Sequence, residues 1–231
     1  MDMLTGEQIA AAGLDDWRKL AQGLHARYRT GSFAAGARLL AAVADAGDAA
    51  GHHPRATIGD THVDLRLVSD DAVHRDAAGA ELVVEWVTQR DVDVARAISQ
   101  IAADQGLEAE PAAVSVVELG LDAASSATIA PVWAALLAGS ADAQGHGTPS
   151  DEIRDATGRV PNLWFGGASD DAGAQRWHLE VYVAAEEAPR RIAAAVAAGG
   201  VVVDDGAASG LTVIADQEGN RGVLCVDVSA S

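Results

Sequence analysis

Adjacent His52 and His53, followed by Pro54, are the side chains best suited to chemistry in the first half of this sequence. An imidazole has a reference pKa of about 6.5, so two side by side can serve as acid and base in one pocket near neutral pH. By themselves such residues more often form a loop turn with one ring packed and the other solvated. Asp91 stands at the third position of a predicted helix capped by Thr88, where a carboxylate favours the positive end of the helix dipole. In the second half His178, Glu180 and Tyr182 alternate along one predicted strand and so share a face. Cys225 is the only cysteine; it lies in an apolar strand with no basic neighbour and reads as a buried structural thiol.

The elements that must position these groups show in the hydrophobic period. Thr5 opens a short helix to Gly13, with Gln8 completing a capping box. Gly23 to Thr30 and Thr61 to Ser69 alternate as strands; in the second, Val63, Leu65 and Leu67 point one way. Between them Ser32 starts a helix whose apolar stripe is Phe33, Ala37, Leu40 and Ala44, ended by Gly51. Glu81 to Val87 is a further strand, and Val92, Ala95, Ile98 and Ala102 share a face of the helix after Thr88.

Periodicity lapses over GLEAEPAA, residues 106–113, where Pro111 blocks the helix. This sets two domains, residues 1–108 and 112–229. In the second, a strand from Val114 to Leu121 precedes a helix ending near Leu137, with Ile129, Trp133, Leu136 and Leu137 turned inward. Residues 139–161 read as a long loop. Strands follow at Asn162 to Phe165, Arg176 to Val183 and Gly200 to Val203, with a helix from Glu186 to Ala198 between the last two. A hairpin of Leu211 to Ala215 and Val223 to Val228, turned through residues 217–220, closes the chain.

Over 231 residues, 49% apolar and 22% charged side chains are a globular balance, sufficient for two cores. The formal charge of -18 repels phosphate backbones and anionic lipid, which argues against nucleic-acid and membrane-surface roles. One cysteine precludes an internal disulfide, and no apolar run reaches the length of a membrane span, so a cytoplasmic protein is expected.

The run LTGEQIAAAG, Trp17, the strand to Tyr28, SFAAGARLLAAVADAGDAAGHHP, VDLRLVS and VTQRDVDVARAISQIAADQGL resembles, in order, the pterin-4a-carbinolamine dehydratase family. The resemblance implies an α+β domain, a four-stranded antiparallel sheet with helices on one face, forming homodimers or homotetramers. It implies removal of water from the 4a-carbinolamine of a tetrahydropterin, without metal or other cofactor. His52, His53 and Pro54 match the residues that bind the pterin, the two histidines handling protons, and Asp91 matches the acidic residue opening the last helix. The family's third histidine closes the VDLRL-type strand in a Thr-His pair; here the pair is Ser69-Asp70. The stretch from there to Thr88 exceeds the family norm by about a dozen residues, ordinary hairpin loops having 2–5. It reads as an inserted loop carrying His74, a candidate substitute imidazole, with Asp70 as the residual acid.

The second half, through VELGLDA, APVWAALLAG, QRWHLEVYVAAEEAPRRIAAAVAAGG and LTVIADQEGNRGVLCV, resembles the glyoxalase-like, vicinal-oxygen-chelate superfamily. That implies paired βαβββ units forming a cup which, in enzymes, holds a divalent metal. Glu118 matches the first-strand ligand, and His178 or Glu180 could join it, but Val223 stands where a further carboxylate is expected. Two ligands fall short of the usual three, so no metal is expected. Trp164, Trp177, Glu180 and Tyr182 are left to line a small-molecule pocket or to fill a core. Three functions stand open: a dehydratase, a non-catalytic ligand-binding or oligomerising protein, and a metal-dependent lyase or dioxygenase.

Overall fold

The computed structural model describes residues 1–75, 79–138, 152–154, 160–167, 176–206, 209–215, 217 and 221–227. They fall into two compact units, the first Met1–Ser115 with Val183–Glu187 and Asp227, the second Val116–Tyr182 with Ala188–Val226. No described helix is long and apolar enough to cross a membrane.

The first unit opens with helix α1 (Gly6–Ala11), started by the Thr5–Gln8 capping box. Strands β1 (Arg18–Leu20) and β2 (Gly23–Arg29) follow, then α2 (Phe33–Ala50), β3 (Arg55–Ile58) and β4 (His62–Leu67). They pair antiparallel in the order β1-β2-β4-β3. Alternation sends Leu24, Ala26, Tyr28, Val63, Leu65 and Leu67 to one face, where the helices bury them. The largest of these side chains contribute about 1.5–3 kcal/mol each, enough to fix which face is inward.

The buried stripe of α2 is Gly36, Leu39, Val43 and Gly47, not the expected Phe33, Ala37, Leu40 and Ala44; Phe33 is 56% exposed. Hydropathy cannot see a glycine as a contact residue, yet these two set the helix close to its neighbours. A Cβ on Gly36 would sit 3.0 Å from Ile58, and one on Gly47 2.5 Å from the His53 ring.

The segment expected as an inserted loop instead forms strand β5 (Ser69–Arg75), which pairs with the expected strand β6 (Glu81–Trp86) as a hairpin, a two-stranded sheet of its own. Its register slips between Ser69, opposite Trp86, and Ala72, opposite Val84, which makes a bulge at Asp70 and Asp71. Residues 76–78 lie outside the described residues. Chain residues 1–3 run beside β5, with Val73 N–H donating to Met1 and Met3 N–H to Val73. Helix α3 (Gln89–Asp104) then buries Val92, Ala95, Ile98 and Ala102 as expected, and β7 (Glu108–Ala109) lies beside β2.

The second unit holds β8 (Ser115–Ala123), α4 (Ser126–Ala138), β9 (Leu163–Gly167), β10 (Trp177–Val183), α5 (Ala188–Ala197), β11 (Val201–Gly206), β12 (Leu211–Ala215) and β13 (Arg221–Cys225). The sheet order is β11-β12-β13-β10-β8-β9, with β8/β9 and β10/β13 parallel. One βαβββ unit is complete as β10-α5-β11-β12-β13. The other shows β8, α4 and β9, with Ile153 bridged to Leu163. The loop expected over 139–161 and the turn expected over 217–220 lie largely outside the described residues. Leu121, Ala123, Leu163 and Phe165 pack against Ala130 and Ala134 of α4, so the helix covers one face of these strands.

Candidate active site

Gly51 ends α2 in the left-handed conformation, φ 62°, which a residue with a side chain rarely adopts. The chain therefore turns off the helix at once and delivers His52 toward the start of α3. There the His52 Nε2 lies 2.6 Å from Asp91 Oδ1. The His52 ring is 11% exposed and the Asp91 side chain wholly buried.

Asp91 divides its two oxygens between two tasks. Oδ2 accepts the Thr88 backbone N–H at 2.7 Å, the Thr88 hydroxyl at 2.9 Å and the Ser69 hydroxyl at 2.7 Å. The first of these is half of the α3 capping box. Oδ1 faces His52. Burial pushes the Asp91 carboxyl upward, but the bonds from His52, Thr88 and Ser69 outweigh it and hold the group below the ordinary carboxylate value. Asp91 is thus an anion, an acceptor on both oxygens, and the proton between it and His52 rides on Nε2. In the neutral ring the lone pair is then on Nδ1.

His53 takes a separate partner: its Nε2 lies 2.9 Å from Asp48 Oδ1 on α2, with the ring 51% exposed. The adjacent histidines are one packed ring and one solvated ring. Pro54 is half-buried and leads into β3.

Asp70, at the third-histidine position, is exposed in the bulge, while its neighbour Ser69 is 1% exposed and points inward. His74 is not on a free loop: it lies on β5 with Nδ1 3.2 Å from Met3 Sδ. The structure thus brings together His52, Asp91, Ser69 and Thr88, and gives His53, Asp70 and His74 other surroundings. Ser69 was legible in parity, since it continues the inward series Val63, Leu65, Leu67.

In the second unit Glu118, Trp164, His178, Glu180 and Tyr182 share the sheet face opposite α4, as the pairings of β8 with β9 and the alternation of β10 require. Asn162 donates to Glu118 at 3.1 Å, and the Tyr182 hydroxyl to Glu180 at 2.8 Å. The His178 ring meets Trp164 edge-on, 5.1 Å between centroids, and lies so close over Gly120 that a Cβ there would be 2.4 Å from Nε2. Trp177, expected among the pocket residues, is not on this face. It is of opposite parity to His178 and packs edge-on against Trp133 of α4, 5.0 Å between centroids.

A metal does not fit this face. Val223 pairs in register with Glu180 and brings no ligand atom, and His178 stands 3.9 Å from Glu180. Among the described residues no three His, Cys, Asp or Glu side chains gather as a metal site. Cys225 is buried, and burial followed by the charges of Glu180 and Glu118 pushes its thiol up to about 12, so it is no reactive thiolate.

Two family models match the chain: pterin 4 alpha carbinolamine dehydratase over residues 2–101 and a glyoxalase-like domain over residues 118–225. A curated protein of Nocardia farcinica (strain IFM 10152), described as a putative pterin-4-alpha-carbinolamine dehydratase, is 33% identical over 103 residues, which span 44% of this chain and 96% of that one. A crystal structure described as a transcriptional coactivator/pterin dehydratase from Brucella melitensis is 22% identical, with a TM-score of 0.35, over 44% of this chain and 99% of the other.

Proposed function

Because the chain belongs to the pterin 4 alpha carbinolamine dehydratase family and carries a glyoxalase-like domain at residues 118–225, we propose that its first unit removes water from a pterin 4a-carbinolamine. The observation that carries this reading is the buried His52–Asp91 pair. In the reaction the C4a–O bond breaks, the hydroxyl leaves as water after taking a proton, and the N5 proton departs as C4a and N5 form a double bond. His52, with its Nε2 proton held by Asp91, offers Nδ1 to the N5 proton, and the carboxylate stabilises the imidazolium that results. In this reading the solvated His53, bonded to Asp48 rather than to the buried pair, is the second imidazole and gives the departing oxygen its proton. General acid–base catalysis of this kind is worth about 10²–10⁴-fold. The test is quinonoid dihydropterin formation from enzymatically generated carbinolamine. A clear acceleration is expected, and the spontaneous rate unchanged by the protein would refute the reading.

A second reading, a non-catalytic pterin-binding protein, is favoured by the exposed carboxylate of Asp70 where the family carries an imidazole. The Asp70→His variant separates the two. Activity that appears only in the variant would support the non-catalytic reading, whereas wild-type activity changed less than threefold supports the first. In the glyoxalase-like domain, the face bearing Glu118, Trp164, His178, Glu180 and Tyr182 is proposed as a metal-free cup for a small molecule with hydrogen-bond donors for its carboxylates.

A further inference from the structure

We propose that Ser69 is a positioning residue for the His52–Asp91 pair, held in place by an Arg90–Asp71 clasp on the β5–β6 hairpin. The inference rests on the dehydratase reading only for its kinetic consequence; the geometry stands without it. A capping box needs only the bonds exchanged between Thr88 and Asp91. Here the same carboxylate oxygen also takes the Ser69 hydroxyl, 2.7 Å away and 22 residues distant in sequence. Ser69 is 1% exposed, so its hydroxyl has no water to turn to.

The hydroxyl is itself fixed. Arg90 Nη2 donates to Ser69 Oγ at 3.2 Å and to the Asp71 carboxylate, and Thr88 Oγ1 lies 2.9 Å from Ser69 Oγ. The bulge makes this possible, because the extra residue turns Asp71 outward to the guanidinium while Ser69 stays inside. Donors from two elements, the hairpin and the start of α3, therefore crowd one oxygen of Asp91. They stop the carboxylate turning about its Cβ–Cγ bond, reserve Oδ1 for His52, and so dictate which imidazole nitrogen keeps the proton.

The experiment compares wild type, Ser69→Ala and Ser69→Thr by imidazole nitrogen NMR across neutral pH, alongside the dehydration assay. In wild type His52 should show the Nε2–H form with a slowly exchanging proton. Ser69→Ala should mix the two tautomers, speed that exchange and lower kcat about tenfold with KM little changed, and Ser69→Thr should restore both. Should Ser69→Ala fail to fold, Arg90→Gln reads the same proton, whose exchange must quicken. A His52 proton and tautomer unchanged in these variants would overturn the proposal whatever the rates are. If wild type shows no dehydration but the tautomer responds, the dehydratase reading falls and the positioning role stands.

Discussion

Replacing Asp91 by asparagine keeps the shape of the site and reverses one of its polarities. The asparagine carbonyl must take the Oδ2 place, because three donors converge there: the Thr88 N–H, the Thr88 hydroxyl and the Ser69 hydroxyl. The amide NH2 is then left facing His52 Nε2, 2.6 Å from the present Oδ1. Two donors cannot share that gap, so His52 has to move its proton to Nδ1 and accept at Nε2. The lone pair needed for the N5 proton disappears from Nδ1. The dehydration rate should fall by about 10²–10⁴, the whole worth of the general base.

Stability should fall much less. The four bonds to the carboxylate pass from charge-assisted, about 1.5–3 kcal/mol each, to neutral, while the penalty for burying a charge is relieved. A net loss of about 1 kcal/mol lowers the melting temperature of a unit this size by roughly 4–8 °C. Calorimetry, nitrogen NMR of the imidazole and the dehydration assay read the three consequences separately. A variant that keeps His52 protonated on Nε2, or that dehydrates at the wild-type rate, would refute the assignment of oxygens to tasks.

Two further outcomes follow from other residues. His25 on β2 is held down to about 3, first by burial and then by the Arg66 charge, and its Nε2 is buried without a hydrogen bond. The unfolded chain binds this proton below about pH 6.5 and the folded one does not until near pH 3, so stability is present above pH 6.5 and is lost as pH falls; between pH 6.5 and 5 urea titrations should lose about 2 kcal/mol. His25→Gln should flatten that slope, and an equal slope in the variant would assign the loss elsewhere. Gly47→Ala puts a Cβ 2.5 Å from His53 Cδ2 and must displace that exposed ring. Dehydration should drop about tenfold with the melting temperature nearly constant, and an unchanged rate would remove His53 from the reaction.

Much of the frame was legible because it repeats. The alternation from Thr61 to Ser69 gave β4 to within two residues, and Thr88 with Asp91 gave the start of α3. Short elements carried too few periods: three residues in β1 and four in β3 cannot display a pattern of two against noise. The first strand of the hairpin was hidden by its own bulge, since Asp70 and Asp71 break the alternation where β5 begins, whereas the second was read at Glu81 to Val87. Trp177 was assigned to the wrong side by its chemistry, although the parity that groups His178 with Glu180 and Tyr182 already excluded it. The division of labour on Asp91 could not be read at all, because the partner on Oδ2 comes from another element and the sequence holds no sign of which oxygen meets which donor.

That shared carboxylate ties the architecture of the first unit to its chemistry in one direction only. A descendant that gave up the reaction would still need Asp91 and Thr88 to begin α3, and packing would still retain most of the His52 ring. His53 and position 70, both turned to solvent, have no such anchor and are free to wander once turnover ceases to matter. Loss of activity in this architecture would therefore surface first at the rim and leave the buried pair looking intact.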